Sequence, residues 1–154
     1  AYMLGNGEEV MLAATDLLAE TKVAPELSNE AHYYRAKAYL DAGKVEGAMD
    51  DLKILAKDTR NIYGAEAKYK VAQIYFDAGQ TEQAEKEVLD YIEVSTPHTY
   101  WLARSFVLLS DVYMKLGRNL DAKQYLLSLK QNYRADDDIA GMIESRLNKL
   151  NAEN

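Results

Sequence analysis

The chain has no cysteine. That excludes disulfides, thiol nucleophiles and the usual structural zinc sites, and it suits either a reducing or an oxidising compartment. There are two histidines, His32 and His98, far apart in sequence. Neither has a partner three or four residues away suited to a metal, and HExxH, P-loop and GxSxG motifs are all missing. Only two prolines occur, Pro25 and Pro97. Both are expected in connections, where losing a backbone donor costs little. No run of eighteen apolar residues exists, so no segment is expected to span a membrane. Excess positive charge is lacking too. A net charge of −7 reads first as a solubility property and disfavours nucleic-acid backbones and anionic membrane surfaces as partners. The chain begins at Ala1 without an initiator Met, which leads to the expectation of a processed or excised piece, any targeting segment having gone with the missing part.

What is present is helical repetition, in a chain of 154 residues with 48% apolar content, enough for one domain with a real core. Residues 36–52, 72–88 and 110–126 can be superimposed: Ala36, Tyr39, Gly43, Ala48 and Leu52 align with Ala72, Tyr75, Gly79, Ala84 and Val88. Ser110, Tyr113, Gly117, Ala122 and Leu126 make the third set. Spacings of 36 and 38 residues are those of a helix-pair repeat. The first pair is expected as helices over 28–41 and 45–59, with Ser28 or Asn29 as N-cap and Glu30 in the first turn. Gly43 then takes the left-handed turn. Ala48, Leu52 and Leu55 fall on one stripe of the second helix. The spacing predicts further helices over 64–77, 81–95, 99–115 and 119–132. Buried positions should include Ala72, Tyr75, Ala84, Val88 and Tyr91, then Phe106, Leu109, Tyr113, Ala122, Leu126 and Leu129.

Residues 5–22 read as a half repeat: aligning Thr21 with Thr59 sets Gly5 against Gly43 and Leu17 against Leu55. Asp136, Asp137 and Asp138 precede Ile139, Ile143, Leu147 and Leu150, the pattern of an amphipathic capping helix over 137–150, with Asn148, Lys149, Asn151 and Glu153 on its wet side. The acidic triple lacks the alternation of a calcium loop, and helix initiation accounts for it. The expected organisation is a single domain over 1–154, holding the half repeat, repeats at 28–60, 64–96 and 99–133, and the cap.

These three copies resemble the tetratricopeptide repeat. The resemblance covers about residues 5–133 and implies an all-α, right-handed α-α superhelix of helix-turn-helix repeats. It departs from the family pattern at His32 and Lys68, where only Phe106 supplies a large apolar side chain, and none of Ala36, Ala72 or Ser110 is glycine. The lengthened connections resemble those of bacterial cell-envelope members, which implies a periplasmic setting over a cytoplasmic one.

In that family the first helix of each pair lines a concave groove. Here this implies Glu30, Tyr33, Lys37, Leu40 and Asp41, then Glu66, Tyr69, Gln73, Phe76 and Asp77. The third pair supplies Arg104, Val107, Asp111, Met114 and Lys115. The candidate peptide-binding set is Tyr33, Lys37, Leu40, Tyr69, Gln73, Phe76, Arg104, Asp111 and Met114, a mixture of apolar anchors and charges suited to an extended or helical peptide. Leu40, Phe76 and Met114 suit core packing equally well. Of the family's carboxylate clamp only Arg104 is in place. Lys37, Lys70 and Arg104 form either a basic trail or ordinary solvated charge.

No catalytic, cofactor-binding or metal-binding residue is expected. His32 reads as a packing residue and His98 as a loop or first-turn residue. Asp50/Asp51 and Glu85/Glu87 are placed on the exposed side of second helices, without the dry pocket a catalytic acid needs. The expected partner is a protein or peptide, with no nucleic acid and no membrane insertion. Self-association through Val10, Leu17 and Leu18 of the half repeat is a further expectation. Two alternatives stand beside the adaptor: a spacer segment of a longer solenoid, and a regulatory domain of a larger enzyme.

Overall fold

The computed structural model describes residues 7–19, 25–94 and 96–152. These residues form helices and connections, without a strand among them: α1 (Gly7–Leu18), α2 (Pro25–Asp41), α3 (Val45–Leu55), α4 (Ile62–Asp77), α5 (Thr81–Glu93), α6 (Thr99–Lys115), α7 (Asn119–Asn132) and α8 (Ile139–Ala152). The fold is an all-α helical-repeat architecture. Its contacts cluster into two compact units, one ending at Val71 and the other starting at Ala72, within α4.

The three repeat glycines make one turn three times. Gly43, Gly79 and Gly117 have φ of 74°, 79° and 78°, a region where a Cβ would be strained. The next residue then donates back to the repeat tyrosine: Lys44 N to Tyr39 O at 2.8 Å, Gln80 N to Tyr75 O at 2.9 Å and Arg118 N to Tyr113 O at 2.7 Å. This is the helix-ending bond that satisfies an orphan carbonyl. The Tyr-to-Gly spacing seen in sequence is the spacing of that bond.

In the first unit α1 packs on α2 and α2 on α3. Ala36, Ala48, Leu52 and Leu55 are buried. The methyl side chain of Ala48 lets the helix axes approach to the near end of the usual range. The end of α3 and the connection after it come close to α4: a Cβ on Gly64 would stand 1.9 Å from the Asp58 carbonyl oxygen and 2.6 Å from that of Leu55. Asn61 caps α4, its Oδ1 accepting from Gly64 N at 2.7 Å.

In the second unit α5 packs on α6, α6 on α7, and α8 on both α6 and α7. Ala84, Val88, Tyr91, Leu109, Ala122 and Leu126 are buried, each large aliphatic one contributing about 1.5–3 kcal/mol. The capping helix buries Ile139, Ile143, Leu147 and Leu150 as its spacing requires. Asp137 starts it, accepting from Ile139 N at 2.9 Å. Tyr75 and Phe106 are half-buried rather than buried.

Several helix bounds differ from expectation; α4 begins at Ile62 rather than 64, and the capping helix covers Ile139–Ala152 rather than 137–150. The second helix of the first pair ends at Leu55, not Thr59, because the chain must turn there for Gly64 to reach it. The first helix begins at Pro25. Ser28 and Asn29 therefore lie inside it and are not caps; proline suits a first helical position, where its missing donor is an orphan anyway. The helix expected over 81–95 ends at Glu93. Gly5, Thr21, Ser95 and Glu153 lie outside the described residues. In α1, Val10, Leu17 and Leu18 are half-buried while Leu12 is 66% exposed, so the expected open flank is partly covered.

Candidate protein-interaction surface

On the first unit, α2 and α4 bring tyrosines and charges together. Tyr33 donates its phenol proton to Glu66, 3.1 and 3.2 Å from the two carboxylate oxygens. Glu66 also pairs with Lys70 at 2.6 Å, one helical turn on. Rings gather beside this: Tyr33 lies 5.3 Å from Tyr34, nearly edge-on, and 4.7 Å from Tyr63. Lys37 Nζ sits 5.4 Å from the Tyr33 ring centre, in cation–π range. Tyr63 reaches Glu30 at 3.4 Å. Burial first, and the Glu66 carboxylate second, push the Tyr33 phenol well above its ordinary range. Burial first and Glu30 second also raise the Tyr63 phenol. Both phenols stay protonated near neutrality, as donors rather than bases.

Of the first-unit candidates, Tyr33, Lys37 and Leu40 are half-buried and border the surface. Tyr69 is only 6% exposed and belongs to the interior. Lys70, one member of the possible basic trail, is spent on Glu66. Tyr34 and Tyr63 were missed by sequence reasoning; Tyr34 adjoins Tyr33 in the middle of α2, and Tyr63 lies in the first turn of α4.

On the second unit a cleft of about 370 Å³ is lined by Phe76, Asp111, Met114, Lys115 and Lys149. Phe76 and Met114 are half-buried and both lysines exposed. Asp111 is held by Arg146 of the capping helix, Nε at 2.7 Å from one carboxylate oxygen and Nη2 at 2.9 Å from the other. That is the bidentate geometry of a strong pair. Arg146 also donates to Met142 O at 3.2 Å. Gln73 is tied to Asp77 at 2.8 Å. Arg104 lies apart from the cleft lining: it donates to the Tyr100 hydroxyl at 3.0 Å, and that hydroxyl donates to Asp138 at 2.9 Å. The structure thus brings Phe76, Asp111 and Met114 together and leaves Arg104 in another cluster. Arg146 and Lys149 were missed, although their spacing of three beside an apolar stripe places them on one flank of α8.

The paired acid Asp51, expected on the exposed side of its helix, is instead 1% exposed. It accepts from His32 Nδ1 at 2.7 Å and from Arg35 Nε and Nη2 at 2.8 and 2.6 Å. The carboxylate is enclosed by its own ligands, so the network joins α2 to α3 and offers no reacting atom a place. Among the described residues, no group of three or more His, Asp or Glu is placed to hold a metal ion. No helix there is long and apolar enough to cross a membrane.

Two family models match the chain, both described as Tetratricopeptide repeat, one over residues 30–58 and the other over residues 103–132. These segments correspond to α2 with α3 and to most of α6 with α7. No curated protein and no solved structure matches the chain. Both matches fall on helix pairs joined through a left-handed glycine, and they support the tetratricopeptide-repeat family for these two segments, repeats that generally mediate protein–protein interactions.

Proposed function

We propose that the chain is a non-enzymatic protein-recognition module that holds a peptide or protein segment against the first helices of its repeats. One observation carries this reading. Candidate positions on α2, α4 and α6 present half-buried apolar and aromatic side chains beside charges, Tyr33 with Lys37 and Phe76 with Met114 and Lys115. Such anchors with a charged rim are what recognition of a segment requires. A photocrosslinking side chain at Lys37 or Gln73, in extracts of the source organism, is expected to trap a discrete partner. The same side chain at Lys53 or Lys86 on second helices should trap none. Adducts from the second-helix positions alone would overturn the proposal.

A second reading has its own support. The 66% exposed Leu12 of α1 suits a segment that stacks on a further copy or a neighbouring helix, as a spacer in a longer array. Light scattering of wild type and Leu12→Glu checks this: a dimer abolished by the glutamate favours stacking, and a monomer in both removes it. Assignment to the bacterial cell envelope rests on the lengthened connections, and fractionation of cells with an antibody to this chain decides between periplasm and cytoplasm.

A further inference from the structure

The cleft beside the capping helix differs from the chain as a whole in the sign of its charge. Its floor is the Phe76 ring and the Met114 thioether, and Lys115 and Lys149 stand at its edge. The acid in the lining, Asp111, has both oxygens engaged by Arg146. That pair cancels in charge and withdraws the carboxylate from any cationic ligand. Lys130 and Glu144 are paired with each other at 2.6 Å, so the neighbouring acid on α8 does not neutralise the cleft. Lys115 and Lys149 have no ion-pair partner among the described residues. A positive, apolar-floored depression is left on a chain of net charge −7.

We infer that this cleft docks an acidic peptide segment, with a bulky apolar side chain on Phe76 and Met114 and Asp or Glu side chains on Lys115 and Lys149. The inference rests on the first-helix reading proposed above and narrows it to the chemistry of the partner. An acidic segment is repelled by most of this molecule and attracted here, which concentrates its binding at one place. Methionine adapts its shape to different apolar side chains. The two lysines are flexible point charges that suit separated side-chain carboxylates. A terminal carboxylate suits a rigid fork of donors, and the guanidinium that reaches Asp111 of the lining, that of Arg146, is already occupied by it.

The test titrates the full chain with a ten-residue peptide, acetylated and amidated, whose core is Glu-Glu-Leu-Phe-Glu-Glu, followed by calorimetry. Saturable binding is expected, at least about tenfold tighter than for the same peptide with lysine in place of every glutamate. Serine in place of Leu-Phe should remove it. Lys115→Glu/Lys149→Glu should weaken binding by about tenfold or more and flatten its salt dependence. Both side chains are exposed, and circular dichroism confirms that the variant keeps its helices. No saturable binding of the acidic peptide, or binding unchanged by the charge reversal, overturns the inference. So does equal binding of a single-stranded oligonucleotide of matching charge, or of an unrelated peptide whose one acid is its C-terminus. If the acidic peptide ignores the two lysines but is lost on Lys37→Glu, the cleft assignment falls while the first-helix reading stands. If crosslinks arise only from second helices, the broader reading falls by itself.

Discussion

His32, Arg35 and Asp51 of the first repeat occupy the places that Phe106, Leu109 and Tyr125 occupy in the third, 74 residues on. In the first repeat the joint between the paired helices is a charge network, with donors 2.6–2.8 Å from a carboxylate that water barely touches. In the third it is a stack: Tyr125 lies 6.1 Å from Phe106 and 5.6 Å from Tyr113, both at 31° between ring planes, over a fully buried Leu109. Each repeat closes through the same glycine turn. The repeat backbone therefore specifies where side chains meet, not what chemistry joins them. The two solutions differ in how they fail. Apolar packing loses stability in proportion to the volume removed, whereas a buried ion network loses most of its value when any member is missing.

The largest effect expected from breaking this contrast is at Asp51. Asp51→Ala leaves Arg35 and His32 without their acceptor in a partly dry joint and should cost about 3 kcal/mol, measured by urea unfolding. A loss below about 1 kcal/mol would mean that water replaces the carboxylate and the network contributes little. The sharper experiment transplants one joint into the other. His32→Phe/Arg35→Leu/Asp51→Tyr installs the third repeat's set in the first. It should be neutral or up to about 2 kcal/mol stabilising, although Asp51→Ala alone is strongly destabilising. A triple variant as unstable as the single one would show that the two joints are not interchangeable.

Alkaline pH probes the aromatic side of the comparison. Burial pushes the Tyr91 phenol up to about 12. Between pH 10 and 12 the folded chain keeps a proton that the unfolded chain releases, so this contribution is whole below pH 10 and is lost as pH rises through the window. Tyr91→Phe should retain about 1 kcal/mol of what wild type loses between pH 10 and 11, read from urea midpoints at each pH. Identical slopes for both proteins would contradict this. The smallest effect is expected at Lys130, which pairs with Glu144 on the surface with both side chains at least half exposed. Lys130→Ala should change stability by less than about 0.5 kcal/mol, an ion pair of little value beside the enclosed one at Asp51.

The repeating frame was legible because its marks are local. The Tyr-to-Gly spacing encodes a backbone bond, the small residue of each second helix encodes close approach, and α6 and α7 begin and end where periodicity and turn residues place them. The misreadings concern what lies across a helix. Asp51 looks solvated because an aspartate usually is, and only His32 and Arg35, three apart on one face of the facing helix, signal its burial. The helix expected to reach Thr59 ends at Leu55, where the Leu55 and Asp58 carbonyls leave no room for a side chain at Gly64, nine residues later in the chain. For the candidate surface, sequence nominated Tyr33, Phe76, Asp111 and Met114, which the structure leaves half-buried. It could not register that Tyr69 turns inward, that Arg146 would claim Asp111, or that Lys149 would line the same cleft as Lys115, since these depend on tertiary packing.

Hydrogen exchange of the chain alone and with the captured partner tests the recognition reading most directly. Added protection should concentrate in peptides of α2, α4 and α6, with α3, α5 and α7 unchanged. Protection confined to those second helices, or none in any first helix at saturating partner, would contradict it.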